Sequence, residues 1–148
     1  MANPNIVQVT TINGKSMGYS LATGNGVMIP PLQGAGLNYV PNDQVYKINS
    51  ITVSNITTGT TAWASVWRGT QGGTVNGPYG SSSWEGYLAY QIDIPPKATL
   101  SILGKSTSIY LNEGHNIIAV SNQNSTLNFS ASFEVISSWH YIISLTQE

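Results

Sequence analysis

Side chains able to carry acid–base or metal chemistry are scarce in this chain. Catalysis requires titratable groups that converge on one site, whereas the 148 residues include only five basic residues, six acidic residues and two histidines. The acidic and histidine candidates are Asp43, Glu85, Asp93, Glu113, Glu134, Glu148, His115 and His140. Any catalytic or metal site would have to be built from this small set.

Paired carboxylates are the first chemistry to consider. Glycoside hydrolysis uses two carboxyl groups about 5 to 10 Å apart. Glu85 and Asp93 are separated by eight residues, which span about 26 Å in a strand, so they are too distant. Glu134 and Asp93 remain open as a pair that folding could bring together, although carboxylates on outer strand faces are more often simply solvated. We expect no catalytic residue and no enzyme activity.

Metal, cofactor and phosphate sites also lack support. Neither His115 nor His140 has a second histidine or carboxylate at ligand spacing on a strand or helix. The absence of cysteine removes disulfides and thiolate ligands. The glycine-rich segment 69–80 lacks both the Gly-Lys-Ser/Thr ending and the following helix of a phosphate-binding loop. We therefore predict no metal site and no cofactor.

The most unusual property of the composition is its low charge. Only 7% of residues are charged, against about 25% in an average soluble domain. The net charge of -1 gives no basic patch for nucleic acid or anionic lipid, and no apolar run approaches the roughly 18 residues of a membrane helix. Surface that becomes buried in an assembly cannot easily carry unpaired charges. The composition therefore predicts extensive contacts with other protein chains.

Alternating apolar and polar residues predict β-strands through most of the chain. The clearest pattern places Leu127, Phe129, Ala131, Phe133 and Val135 on one face of a strand. A second alternating strand, 139–146, is expected after a break at Ser137-Ser138. Further strands are predicted at 6–12, 46–56, 62–67, 88–94, 99–103, 108–111 and 116–121.

Three local signals refine these strands. The apolar phase changes between Ile48 and Ile51, which predicts a β-bulge near Asn49-Ser50. Leu88, Tyr90, Ile92 and Ile94 are expected on one face of a strand that Pro95-Pro96 ends, because proline cannot donate a ladder hydrogen bond. The triplet Asn112-Glu113-Gly114 predicts a tight turn in which the glycine has positive φ.

The pattern as a whole predicts a single all-β domain over residues 1–148. About eight or nine short strands with intervening turns favour an antiparallel β-sandwich of jelly-roll-like form. Two long Gly/Pro-rich loops are expected at Thr23–Gln44 and Gly69–Ser83, and loops of this length are usually functional or disordered. Their apolar residues need a surface to rest upon, which a neighbouring subunit could supply.

Residues 1–13 allow two interpretations. Their composition suits an extended arm that adds to the sheet edge of another chain while Ile6, Val7 and Val9 enter pockets. They could equally form the first strand of their own subunit. The candidate interface residues from the arm and the loops are Ile6, Val7, Val9, Met28, Ile29, Leu32, Leu37, Tyr39, Tyr79 and Trp84.

The aromatic residues also allow two interpretations. Trp63 and Trp67 share a strand face, and with Tyr87, Tyr90 and other aromatics they could pack in the core or at a subunit interface. Alternatively, aromatic faces could stack on sugar rings. Trp84 and Tyr79, in or beside the glycine-rich loop, are expected to be the most exposed.

Three blocks of sequence resemble a known group of proteins. The blocks are Met1-Ala-Asn-Pro-Asn-Ile-Val-Gln-Val-Thr-Thr-Ile-Asn-Gly-Lys, the segment Tyr46–Asn55 and the segment Ile109–Gly114. They look like parts of short virion structural proteins of tailed cyanobacterial phages. The likeness covers about half of the chain and contains no catalytic signature. The two long loops lie outside it.

The resemblance implies a β-sandwich or jelly-roll subunit of a virion. We expect a capsid decoration or cement protein, a homo-oligomer that stabilises the head by bridging neighbouring subunits, with the major capsid protein or another virion protein as partner. The expected location in the virion is the capsid surface in preference to the tail. A tail, baseplate or fibre component is the first alternative, and a glycan-binding module using Trp84 and Tyr79 is the second.

Overall fold

The computed structural model describes residues 9–24, 26–30, 39–70 and 86–138. These ranges contain nine β-strands and a short 3-10 turn at Lys105–Thr107. The strands are β1 (Val9–Ser20), β2 (Gly26–Ile29), β3 (Gln44–Asn55), β4 (Ala62–Thr70), β5 (Gly86–Ile94), β6 (Thr99–Leu103), β7 (Ile109–Leu111), β8 (His115–Ser121) and β9 (Leu127–Ser138). No helix within these ranges is long and apolar enough to cross a membrane.

The strands form two antiparallel sheets with the topology of a jelly roll. The first sheet has the order β1-β9-β3-β6, and the short β7 pairs with the part of β3 that β6 leaves free. The second sheet has the order β2-β8-β4-β5. With β7 set aside, each sheet has four strands, and successive strands alternate between the sheets except for the neighbours β4 and β5, as in a jelly roll built from two Greek keys. The predicted all-β, antiparallel, jelly-roll-like class is confirmed.

The main core lies between the inner faces of the two sheets, and β9 supplies its central row. Leu127, Phe129, Ala131, Phe133 and Val135 are all buried, as the alternation predicted. Tyr46 of β3 stacks on Phe133 with the ring centroids 5.4 Å apart. Burial raises the pKa of the Tyr46 phenol, because the phenolate would lose its hydration.

The predicted bulge in β3 is present and explains how this strand keeps one apolar face. The register between β3 and β9 shifts between Ile48 and Ser50. Ile48 before the shift and Ile51 after it are therefore both fully buried, although one is at an even position and the other at an odd position. The bulge reconciles the phase change in the sequence with a continuous core.

Asn55 joins the two sheets at the end of β3. Its side chain is buried, and its amide nitrogen donates to the carbonyl oxygens of Thr60 at 2.7 Å and Ile94 at 2.8 Å. Its side-chain oxygen accepts from the backbone N–H and the hydroxyl of Thr57. Because Ile94 ends β5, these bonds connect the first sheet to the edge strand of the second.

The first strand is longer than predicted. β1 continues to Ser20, whereas the sequence pattern suggested an end at Ile12. Most of β1 shows no alternation in burial, because residues 11–20 are exposed on both faces except for the half-buried Met17. Residues 9–13 of the proposed arm pair with β9 of the same chain, which favours the first-strand interpretation for this part; residues 1–8 lie outside the described ranges.

Other element boundaries depart from the expected ones in a similar way. The loop predicted over Thr23–Gln44 contains β2, whose short apolar run pairs with β8. β4 extends to Thr70, one residue past the predicted start of the second loop, and β9 runs to Ser138 through the expected break. Local glycine, proline and serine signals are overridden here by pairing with strands distant in the sequence. The strand predicted at 139–146 lies outside the described residues.

Two turn predictions are confirmed. β5 ends at Ile94, directly before Pro95. Gly114 has a φ of 81°, in the left-handed region where a side chain would be strained. Glycine at this position therefore allows the close turn between β7 and β8.

Replacing Phe129 by alanine should test the central role of β9. The side chain is completely buried, so Phe129→Ala should lower the free energy of unfolding by about 3 to 5 kcal/mol through lost burial and a residual cavity. Ile56→Ala, at a largely exposed position, is the matched control and should change it by less than about 0.5 kcal/mol. Urea denaturation followed by tryptophan fluorescence measures both; equal effects would contradict the assigned core.

Candidate assembly interface

The charged residues considered for catalysis are dispersed in the fold. Glu134 lies between two core-facing residues of β9 and so points outward from the first sheet. Asp93 is exposed beside the buried Ile94 and points outward from the second sheet. The two carboxylates are thus on opposite outer faces of the sandwich and do not form a pair. Glu85, Glu148 and His140 lie outside the described ranges.

Asp43 and Glu113 are in contact, but the contact joins the carboxylate of Glu113 to the backbone of Asp43 and does not pair the two carboxylates. The Oε2 atom of Glu113 accepts a hydrogen bond from the backbone N–H of Asp43 at 2.6 Å, and Asp43 has a φ of 63°. This bond joins the segment before β3 to the turn before β8. Within the described ranges, no three acidic, histidine or cysteine side chains are grouped as metal ligands would be.

The described aromatic residues do not form a flat platform for a sugar ring. Trp67 is almost completely buried in a second apolar cluster with Val27 and Ile118. Tyr87 meets Trp67 edge-on at 5.9 Å and Tyr90 edge-on at 4.7 Å, with 68° between the ring planes in each case. Trp63 is on the same face of β4 as Trp67 and is half-buried. Tyr79 and Trp84, on which the glycan hypothesis depends, lie outside the described residues.

The candidate interface residues fall into three groups. Met28 and Ile29 are buried in the core of their own chain, so their burial needs no neighbouring subunit. Tyr39 is half-buried, and Val9 opens β1 opposite Ser138. Ile6, Val7, Leu32, Leu37, Tyr79 and Trp84 lie outside the described ranges.

Large apolar side chains are instead exposed along the edges of the sheets. Except for Ile56, those on the described surface belong to β1, β5 and β7. They are Ile12, Tyr19, Tyr90, Ile92 and Tyr110. Each of these strands lies at a sheet edge in the described topology. The sequence contained no signal for this arrangement, because edge strands are defined by long-range pairing.

The exposure of Tyr90 and Ile92 corrects the predicted inward face of β5. The register between β4 and β5 shifts between Ala64 and Val66 and again between Val66 and Trp67. At the first shift, Gln91 adopts a φ of 45° and its backbone N–H donates to the hydroxyl oxygen of the buried Ser65 at 2.8 Å. These bulges interrupt the alternation, so Leu88 packs against the core while Tyr90 and Ile92 are exposed.

The outer face of the first sheet is a broad surface of small polar residues, here called the hydroxyl face. Its members are Ser16, Gly18, Ser20, Ser50, Thr52, Ser54, Thr99, Ser101, Ser130 and Ser132. Neighbouring strands are joined across it by hydroxyl contacts of 2.9 Å, from Ser50 to Ser132 and from Ser54 to Thr99. These contacts let hydroxyl groups of neighbouring strands bond to each other on the outer face.

Comparison with known proteins gives no family assignment. No family model matches the chain, and no curated protein matches it. Among solved structures, a protein of Bacillus endospore appendages, described as disulfide-linked pili, has 10% identity and a TM-score of 0.44 over 93% of this chain and 94% of that chain.

Two viral particles show weaker structural similarity. The virus-like particle of extra small virus from the giant freshwater prawn Macrobrachium rosenbergii has 10% identity and a TM-score of 0.38 over 88% of this chain and 82% of that chain. VP2 of the infectious bursal disease virus subviral particle has 10% identity and a TM-score of 0.32, over 84% of this chain and 33% of that one. At these scores, similarity carries no functional argument.

The bulge in β5 predicts a specific effect of Ser65→Ala. This change removes the acceptor of the Gln91 N–H, so the free energy of unfolding should fall by about 1 to 3 kcal/mol. Hydrogen exchange measured by NMR should show faster exchange of the Gln91 amide. Ser101→Ala, at an exposed position of β6, is the control and should leave both quantities unchanged; an unaltered Gln91 amide in Ser65→Ala would contradict the assigned hydrogen bond.

Proposed function

We propose that this protein is a non-catalytic structural subunit of a phage particle and that it decorates and cements the capsid. The observation that carries the proposal is the exposure of large apolar side chains at three sheet edges of a subunit in which only 7% of residues are charged. An isolated soluble domain usually carries mixed surface charge and few exposed aromatic residues. A subunit surrounded by neighbours does not need surface charge, and its exposed aromatic residues can be covered by those neighbours.

The chemistry of the exposed edges suits contact between proteins. Interface centres are depleted in charged residues and enriched in tyrosine, and Tyr19, Tyr90 and Tyr110 are all more than two-fifths exposed, at 42%, 46% and 48%. Their phenol groups combine an apolar ring with a hydroxyl that can bond across an interface. These residues are the anchors on which the proposed contacts depend.

The positions of the edges suit a bridging subunit. Tyr19 on β1 and Tyr110 on β7 lie at opposite ends of the first sheet, and Tyr90 on β5 lies at one end of the second. A protein with contact residues in three separate places can touch more than one neighbour, as a cement protein must. The jelly roll alone does not decide the matter, since this fold also occurs in lectins and cupins.

The capsid location follows from the resemblance of the three sequence blocks, and a tail, baseplate or fibre position is the alternative. Copy number separates the two. Quantitative mass spectrometry of purified particles should find this chain in a number comparable to the capsid subunits. A small multiple of three or six would move the protein to the tail, and its absence from particles would contradict a virion function.

Substitutions on β5 test the contact residues directly. The double variant Tyr90→Ser with Ile92→Thr removes exposed apolar surface and should reduce binding to particles assembled without this protein by about tenfold or more, since anchor residues each contribute more than about 1 kcal/mol to an interface. The control Ile56→Thr changes an apolar residue that is more exposed than either and lies outside the edge strands, and it should bind normally. Equal binding of the double variant and the control would contradict the assignment of β5 as a contact edge.

A further inference from the structure

Strand β1 is a long and regular edge. Its pairing with β9 keeps one register from Thr11 to Ser20, and Ile12 is 59% exposed. In the described topology β1 ends the first sheet, and no described strand pairs with its outer side. Such an edge presents a row of backbone donors and acceptors to another chain.

The outward-facing backbone groups can be assigned by residue. Leu21, which follows β1 in the same register, donates its N–H to the carbonyl oxygen of Leu127 at 2.8 Å. Bonded and non-bonded pairs alternate along an antiparallel ladder. The odd-numbered residues of β1 therefore bond to β9, and the N–H and C=O groups of Ile12, Gly14, Ser16, Gly18 and Ser20 face outward.

The other described edges are protected from such pairing. β5 contains two register shifts, and β2 has four residues with a register shift of its own. The far edge of the first sheet is divided between β6 and β7, which the turn at Lys105–Thr107 separates. Bulges and short strands are the features by which proteins prevent edge pairing. Among the described edge strands, β1 alone offers a long segment, Thr11 to Ser20, in one register.

We infer that β1 pairs antiparallel with β1 of a second copy of this chain, so that two first sheets become one continuous sheet. A second copy is the matching occupant, because it offers the same long edge and because an antiparallel strand pair is self-complementary about a twofold axis. The near-neutral net charge of -1 imposes little repulsion between copies. The inference deepens the proposed structural function and rests on it, since it names one surface by which the subunits assemble.

Lys15 restricts the register of the pair. It is the one charged residue of β1, and a twofold axis at Lys15 would place two lysines directly opposite each other, which is destabilising. The outward-facing N–H and C=O groups belong to even-numbered residues. The two β1 strands can therefore form a ladder only in registers that place even-numbered residues of one copy opposite even-numbered residues of the other. The axis therefore passes through Gly14 or Ser16, the nearest centres that keep a long overlap.

Proline at position 16 tests the pairing. Ser16→Pro removes an N–H that the chain itself does not use in the β1–β9 ladder, and its ring obstructs an approaching strand. Sedimentation velocity should show a dimer for the wild type and for the control Ser16→Ala, and a dissociation constant about tenfold or more higher for Ser16→Pro. A wild type that remains monomeric at high concentration, or a folded Ser16→Pro variant that dimerises normally, would overturn the inference.

Single cysteines give an independent test that does not require the proline variant to fold. The natural chain has no cysteine, so each variant carries one thiol. Opposed residues in a bonded antiparallel pair have Cα atoms about 5.5 Å apart, within the range of a disulfide. Either Gly14→Cys or Ser16→Cys should form a disulfide-linked dimer on mild oxidation, while Ser101→Cys on β6 should not. Failure of both, or equal linking of the control, would refute the β1 pair.

The two proposals fail in different ways. A chain found in particles whose cysteine variants do not link would refute the β1 pair and leave the structural function supported. A chain that links through Gly14→Cys or Ser16→Cys but is absent from particles would support the pair and refute the virion function.

Discussion

The pairing of β9 with β1 on one side and β3 on the other is the interaction on which the rest of the fold depends. Its inner residues fill the centre of the core, and its two edges carry the longest ladders of the first sheet. β1 has no other described strand partner. A largely exposed strand is therefore held in place by a strand whose inner face is buried.

Sequence patterns predicted the elements in which burial alternates. Leu127 to Val135, the bulge after Ile48 and the end of β5 before Pro95 all follow from local rules about pleating, phase and proline. The patterns failed where burial does not alternate: β1 beyond Ile12 is exposed on both faces, and β5 is bulged at Gln91. Strand pairing decides these cases, and the pairing of β1 with β9 joins residues more than a hundred positions apart.

The candidate contact surface was only partly accessible to sequence reasoning. Low charge predicts contacts with other protein chains, but it does not show which apolar residues are exposed. Met28 and Ile29 looked like loop residues in need of cover, yet β2 places them in the core. Tyr90 and Ile92 looked like core residues, yet the bulges place them at the surface. Which residue is available to a neighbour depends on the order of strands within each sheet.

The unequal character of the sheet edges limits how far copies of this chain could add to one another through backbone hydrogen bonds. Joining two β1 strands would use the long edge of both molecules and leave outside only short or bulged strands. Such a sheet would stop at two copies and would not continue as a fibril. Any larger shell or lattice would then have to grow through side-chain contacts, whose geometry can close into a finite object.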